Sequence, residues 1–374
     1  MPPTPPRILA STLPPLLAAL LIGCAPSTAG SDAPVEEAAF SDDEALANED
    51  PSRLLVYTAN LENLAQATVD AGDPESCRGD WQDLLYFLAD ASQAPDILLV
   101  QQVSGRAQVD EKLLPKLREL LGEEYGAIVA EKSPAYWAPA DCSAKHHQTN
   151  AILYRKERLT YVEGSKQTWR SAIAEGPGCA TTTAARYVNV AAKLGDRWNP
   201  KGEGLREVAV GSVHWPVEDG CGVTNARATD ATLTSYSGAQ LWIFGGDANL
   251  PELSSPKVPG SGYRPWYERT NAGLGRDGNL GWTDPIFAAC DEQTASALEL
   301  DACLVDHATM RFGSRYDFLF AKYHPSYRSG PAATSGAVTV GFEEAGEADR
   351  ALTGKDDAAL AYSMHRAVGT YVHW

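Results

Sequence analysis

Six stretches of the chain end or interrupt an apolar run with residues that can move protons or bind hard cations. Leu55–Glu62 closes with Asn60 and Glu62, Ile97–Gln102 with the amides Gln101 and Gln102, and Val208–His214 with a histidine. Leu241–Asn249 closes with Gly245, Gly246, Asp247 and Asn249. Ser314–Phe320 carries Asp317, and Ser363–Val368 sets His365 just ahead of the last apolar run. An imidazole backed by a carboxylate can hold or pass on a proton. An aspartate with a nearby amide can position a water, and amide or carboxylate oxygens suit a hard divalent cation. Taken singly, each has a plainer account. Asp-x-Asn after a strand commonly forms an Asx turn, His214 could be a hydrogen-bonded core histidine, and Asp317 could pair with Arg315. It is the ordered set that asks for a common site.

To meet, these residues need strands whose ends converge. Apolar, β-branched or aromatic runs at 54–58, 97–103, 127–130, 151–154, 187–194, 208–214, 241–244, 316–321, 337–342 and 367–373 are bounded by turn residues and read as strands. Gln82–Asp90 and Val109–Leu121 each gather leucines on one side and read as amphipathic helices. Early segments alternate β and α, whereas the middle is mostly β with long loops. That mixture predicts two sheets packed together with helices outside, rather than one doubly wound sheet. No internal repeat is present.

In this order the motifs resemble the endonuclease/exonuclease/phosphatase superfamily. Its pattern runs from a strand ending in Asn, through Gln-Glu, His, Gly-Asp-x-Asn and an Asp-bearing strand, to a terminal Ser-Asp-His. Asn60, Gln101-Gln102, His214, Gly246-Asp247-Ala248-Asn249, Asp317 and Ser363-Met364-His365 fall in that sequence, and Ala151–Arg155 resembles the family's mid-domain strand. The resemblance spans Leu54 to the C-terminus. It implies a four-layer α/β/β/α sandwich, with two mixed sheets face to face and helices outside. It also implies phosphodiester or phosphomonoester hydrolysis. In that chemistry Asp317 orients His365 and stabilises its cation, and Asp247 with Asn249 positions or deprotonates water. His214 donates a hydrogen bond or proton at the phosphate, and Asn60, Glu62 and Gln102 hold Mg2+ or Mn2+.

Two positions depart from the pattern. The family's metal-holding glutamate falls on Gln102, and the aspartate of its Ser-Asp-His falls on Met364. Both changes remove negative charge from a site that a hard cation prefers to see lined with carboxylates, and a thioether is a poor ligand for Mg2+. Glu62 is the nearby acid that could compensate. The expectation is therefore a phosphoesterase with a weakened metal site. The alternative is a catalytically inactive pseudoenzyme that reuses the fold as a lipid-anchored binding protein of the cell envelope.

Composition frames both readings. Residues 1–23 hold one cation and a short apolar run ending Leu21-Ile22-Gly23-Cys24, which resembles the signal peptide and lipidation site of a bacterial lipoprotein. Ala25 after Cys24 points to the outer membrane. Residues 24–51 are rich in Ala, Ser, Pro, Asp and Glu and read as a disordered acidic linker; residues 52–374 read as one domain. Setting Cys24 aside leaves an even set, Cys77, Cys142, Cys179, Cys221, Cys290 and Cys303, as expected of disulfides in an oxidising compartment. Fifteen connectivities are open; pairing neighbours gives 77–142, 179–221 and 290–303. A net charge of −18 argues against duplex nucleic acid as substrate. A monomer acting on a phosphate ester, held to a membrane through a lipid on Cys24, is the expected arrangement. His146-His147 reads as a solvated loop, and His307 falls outside the family order.

Overall fold

Alternation along one strand sets the architecture. In β1 (Arg53–Asn60), Leu54 and Val56 belong to one apolar cluster, while Leu55, Tyr57 and Ala59 belong to another. Both faces of the strand are therefore covered. The computed structural model describes residues 48–62, 82–91, 93–136, 147–199, 205–217, 219–255, 260–268, 273–274, 280–310, 313–341, 347–348, 350–352 and 365–374. The expected signal peptide, Cys24, most of the acidic linker, Cys77, Cys142, His146 and Met364 lie outside the described residues.

After β1 come α1 (Asp83–Asp90), β2 (Ile97–Val103), α2 (Arg106–Gln108), a π-helical turn (Val109–Leu113), α3 (Leu114–Leu121), β3 (Tyr125–Val129) and β4 (Thr149–Arg155). Next are β5 (Leu159–Tyr161), β6 (Gln167–Arg170), β7 (Ala172–Glu175), β8 (Gly178–Thr181), β9 (Val188–Asp196), β10 (Arg206–His214), α4 (Gly222–Thr234) and β11 (Leu241–Asp247). The chain closes with α5 (Pro285–Gln293), α6 (Ala297–Asp306), β12 (Asp317–Tyr323), β13 (Thr334–Thr339) and β14 (Val368–His373).

The strands form two large sheets, ordered β13-β14-β1-β2-β4-β3 and β12-β11-β10-β9-β5, with β6 also on β9 and β7-β8 as a separate hairpin. Leu54, Val56, Leu99 and Ile152 from the first sheet share a core with Val190, Val208, Val210, Ile243 and Leu319 from the second. Leu84, Leu85 and Leu88 of α1 and Leu117 and Leu121 of α3 cover the outer face of the first sheet, and α4 lies against β10 and β11. The α/β fold of two mixed sheets with helices outside is thus the one expected. Disulfides join Cys179 to Cys221 and Cys290 to Cys303, two of the neighbour pairings.

One end of the sandwich is clamped by buried charge. Asp96, ahead of β2, pairs with Arg155 at 2.9 Å and Arg158 at 3.0 Å. Arg158 grips Asp196 through Nε and Nη2 at 3.2 and 3.1 Å, and Arg206 reaches the same carboxylate at 2.8 Å. Arg155 also donates to the Asn48 carbonyl at 2.7 Å, and Arg206 to that of Pro51. The start of the described chain is thereby tied to both sheets, at the end of β1 opposite Asn60.

Candidate active site

Strand register assembles the cluster. His214 lies directly beside Asp247 in the parallel β10–β11 pair, and Asp247 directly beside Asp317 in the antiparallel β11–β12 pair. Side chains directly opposite on paired strands project from the same face, so three ionisable groups line up at one end of the second sheet. Asn60 stands beside Gln101 at the same end of the first sheet, and its Nδ2 donates to Asp247 Oδ2 at 3.0 Å. Glycine is needed for this approach. A Cβ on Gly245 would lie 2.8 Å from the Thr58 Cβ, and one on Gly246 only 1.8 Å from the Val213 carbonyl oxygen.

His365 arrives from just before β14 and is fixed by a loop. Its backbone forms an isolated bridge with Met310, and Arg366 N–H donates to the Thr309 carbonyl at 2.7 Å. Thr309 Oγ1 in turn accepts from Tyr316 and Asp317 N–H at 2.8 and 3.0 Å. One short segment therefore holds both the imidazole and its carboxylate. His365 Nδ1–H donates to Asp317 Oδ2 at 2.9 Å, with Oδ1 at 3.2 Å. The other ring nitrogen, Nε2, is 3.7 Å from Asp247 Oδ2. Arg315 is not a partner of Asp317; it is buried against Asp284 and Glu252.

These contacts set the charges. Burial disfavours the His365 cation, but the carboxylates of Asp317 and Asp247 outweigh it, with Glu62 adding to them, and its pKa is pushed up to about 10. Burial is the first cause for Asp247 too and raises it; Asp317 raises it further, while His365, the Asn249 N–H and the Asn60 amide pull it back, leaving it at about 7. His214 is held well below its ordinary value by burial, then by the nearby Arg186 and His365 cations, so its ring is neutral. A carbonyl oxygen can only accept, so the 3.1 Å contact with the Arg186 carbonyl places the ring proton on Nδ1. Nε2 then carries a lone pair, 3.5 Å from Asp247 Oδ2. In this tautomer Nε2 faces the cluster as an acceptor.

Asn249 makes the Asx turn and serves the cluster at once. Its N–H donates to Asp247 Oδ1 at 2.7 Å and its Nδ2 to the Trp215 carbonyl at 2.7 Å. Among the described residues, three that are not glycine have left-handed backbones: Glu62 at +47°, Gln102 at +60° and Asn249 at +52°. All three belong to the expected site, where unfavourable backbone conformations tend to collect.

The expected metal set does not assemble as a Mg2+ cage. Glu62 N–H donates to Asn60 Oδ1 at 3.0 Å, which fixes the amide orientation and turns Nδ2, a donor, toward Asp247. Gln102 is engaged by a neighbouring amide: its Oε1 accepts from Gln148 Nε2 at 2.8 Å. Glu62, which is buried, is the one carboxylate of the three. Ligand atoms of Asp247, Asp317 and His365 do lie within 4.8 Å of one another, a spacing a metal could share. As they stand, however, His365 Nδ1 and Asp317 are bonded to each other. With so few free anionic oxygens, calorimetry at pH 7 should find Mg2+ binding weaker than about 1 mM. Micromolar Mg2+ affinity in the wild type would contradict the misfit.

The set-aside histidines stay outside. His307 closes α6 with Nδ1 3.2 Å from Thr339 Oγ1, and the Cys290 and Cys303 sulfurs beside it are bonded together. His147 is exposed, with Nδ1 2.9 Å from the Pro134 carbonyl. Thr309, Arg186 and Gln148 are participants that sequence reasoning missed. None lies in a periodic run or a motif that could have pointed to it.

No protein-family model matches the sequence, and no curated protein matches it either. Among solved structures, the catalytic domain of human Nocturnin with a bound sulfate anion is 17% identical, with a TM-score of 0.50 over 86% of this chain and 94% of that one. ANGEL2, a 2′,3′-cyclic phosphatase, is 12% identical, with a TM-score of 0.50 over 86% of this chain and 95% of that one. An endonuclease/exonuclease/phosphatase from Bacteroides vulgatus is 14% identical, with a TM-score of 0.45 over 86% and 98%. At such identities the likeness is one of fold: the chain shares the fold of the Nocturnin catalytic domain and of ANGEL2.

Proposed function

We propose that this protein hydrolyses phosphate esters, using Asp247 to activate water and the His365–Asp317 pair to hold the phosphoryl group. The observation that carries this reading is a buried imidazole set between two carboxylates, Asp317 at 2.9 Å on one nitrogen and Asp247 at 3.7 Å from the other. Asp247 Oδ2 and His214 Nε2 are two acceptors 3.5 Å apart; two converging acceptors suit a molecule with two O–H bonds, which is a water. Asp247 takes one proton as the water oxygen bonds to phosphorus, and the ester oxygen departs with the electrons of the broken P–O bond. The imidazolium Nε2–H meets the negative charge that builds on a phosphoryl oxygen. No step is assigned to a metal, because Asn60 and Gln102 are engaged by neighbouring groups and Glu62 is the one carboxylate of the expected set. Residues 1–24 support an exported, lipid-anchored form, and the −18 charge supports a small ester over duplex nucleic acid.

The test is the pH profile of bis-p-nitrophenyl phosphate hydrolysis in chelator. The active form needs Asp247 ionised and His365 protonated. The profile of kcat/KM should therefore rise through about 7 and fall through about 10, following the raised values of the two groups. Absence of turnover at every pH would favour the inactive binding protein.

A further inference from the structure

The two neighbouring amides at the end of β2 remain to be accounted for, and their surroundings suggest a use. Gln148, the residue just before β4, is 1% exposed. Its Nε2 donates to Gln102 Oε1 at 2.8 Å, but its own Oε1 is buried with no hydrogen-bond partner. Gln101 Oε1, one residue away on β2, is buried and unpartnered as well, although its Nε2 donates to Ser212 Oγ at 3.0 Å. Buried amide oxygens are nearly always paired in folded proteins, so an orphan marks a place where something else belongs. Inverting both amides of the Gln102–Gln148 pair would move the orphan from the Gln148 oxygen to its nitrogen without removing it.

Neighbouring contacts tie the pair to the second sheet. Asn150, two residues after Gln148, ties its Nδ2 to the carbonyls of Val188 and Arg186 at 2.8 and 3.3 Å. The Arg186 carbonyl also holds His214. The amide pair is thus linked to His214 through Asn150, whose Oδ1 accepts from Gln102 N–H at 3.4 Å, and the Arg186 carbonyl, and it carries no charge. A neutral amide edge cannot offset an anion or a cation, but it matches a group that both donates and accepts. A hydroxyl does both, and it satisfies either orientation of the pair.

We propose that Gln102 and Gln148 form a hydroxyl-binding subsite, which receives an uncharged hydroxyl on the alcohol part of the substrate beside its phosphate. The proposal rests on the phosphate-ester reading and narrows it to esters of polyols or sugars. Access to the Gln148 amide requires the half-buried Gln102 side chain to rotate aside.

Glycerol 2-phosphate and isopropyl phosphate differ only by two hydroxyls, so calorimetric titration of the full chain with each isolates the hydroxyl. The wild type should bind glycerol 2-phosphate about tenfold tighter. Gln148→Met, which keeps the length and loses the amide, should bring the two affinities together. Equal affinities in the wild type, including no binding of either, would overturn the subsite, as would a preference that survives in Gln148→Met. Should that variant not fold, the wild-type ratio decides alone. Bis-p-nitrophenyl phosphate has no hydroxyl, so its turnover by the wild type judges the phosphate-ester reading separately. Turnover with equal affinities removes only the subsite, and a tenfold preference without turnover removes only the hydrolytic step.

Discussion

His365→Ala lowers kcat for bis-p-nitrophenyl phosphate by about a thousandfold or more, because the imidazolium that faces the phosphoryl site is gone. The partner variant separates charge from shape. Asp317→Asn keeps the imidazole but removes the carboxylate bonded to Nδ1 at 2.9 Å, and with it the largest upward pull on the His365 pKa. Its basic limb should move down from about 10 toward the ordinary histidine range, narrowing the active window from the alkaline side. Folding is checked at the same time, because the pair also contributes stability. A raised histidine pKa stabilises the fold fully below the unfolded value of about 6.5, and the contribution fades as pH rises through about 10. Both variants should therefore melt earlier than the wild type at pH 7, and by less at pH 10. Rates within tenfold of wild type in His365→Ala would take the imidazole out of the chemistry.

The largest effect on stability belongs to the opposite end of the molecule. Asp96 is fully buried and accepts from Leu55 N–H and Asn48 Nδ2, both at 2.8 Å, besides its two arginines. Asp96→Ala leaves Arg158, also fully buried, to share Asp196 with Arg206, and leaves the fully buried Arg155 with only Glu123, at 3.9 Å, as a carboxylate partner. Removing one partner of a buried ion pair costs about 3–5 kcal/mol, enough to bring a marginally stable domain close to unfolding at 37 °C. Urea denaturation measures the loss. A change below about 1 kcal/mol would mean that the remaining partners rearrange to cover the arginines. The hydrolytic rate of the fraction still folded should stay near wild type, since the clamp is a strand length from Asn60.

Much of the layout was legible in the sequence because strands announce themselves by alternation and by the polar residues at their ends. Leu54 to Asn60 shows this: its even residues face the second sheet and finish at the site, so Asn60 could be placed by counting. The Asp247–Asn249 and His365–Asp317 groupings came instead from the ordered resemblance to a known family, since each motif taken alone has a plainer account. Other elements carry no such pattern. Gly222–Thr234 reads GVTNARATDATLT and buries a face of Ala, Thr and Asn with a single leucine, Leu233, so nothing in its hydrophobicity points to a helix. The hairpin β7–β8 is largely exposed and needs no apolar period. The protonation of His214 could not be read at all. It depends on a carbonyl at Arg186, placed by a 3-10 turn far from it in sequence. Nor could the engagement of Gln102, which depends on an irregular β2–β4 register that brings Gln148 alongside.

The three left-handed backbones at Glu62, Gln102 and Asn249 have a consequence for anyone who evolves this protein in the laboratory. Glycine at such a position relieves conformational strain that a side chain must bear. A screen that rewards survival of heating alone would favour glycine at these positions and so strip out the side chains around the cleft. The molecule would grow hardier as it forgot its chemistry, and selection would have to demand turnover in every round to keep both.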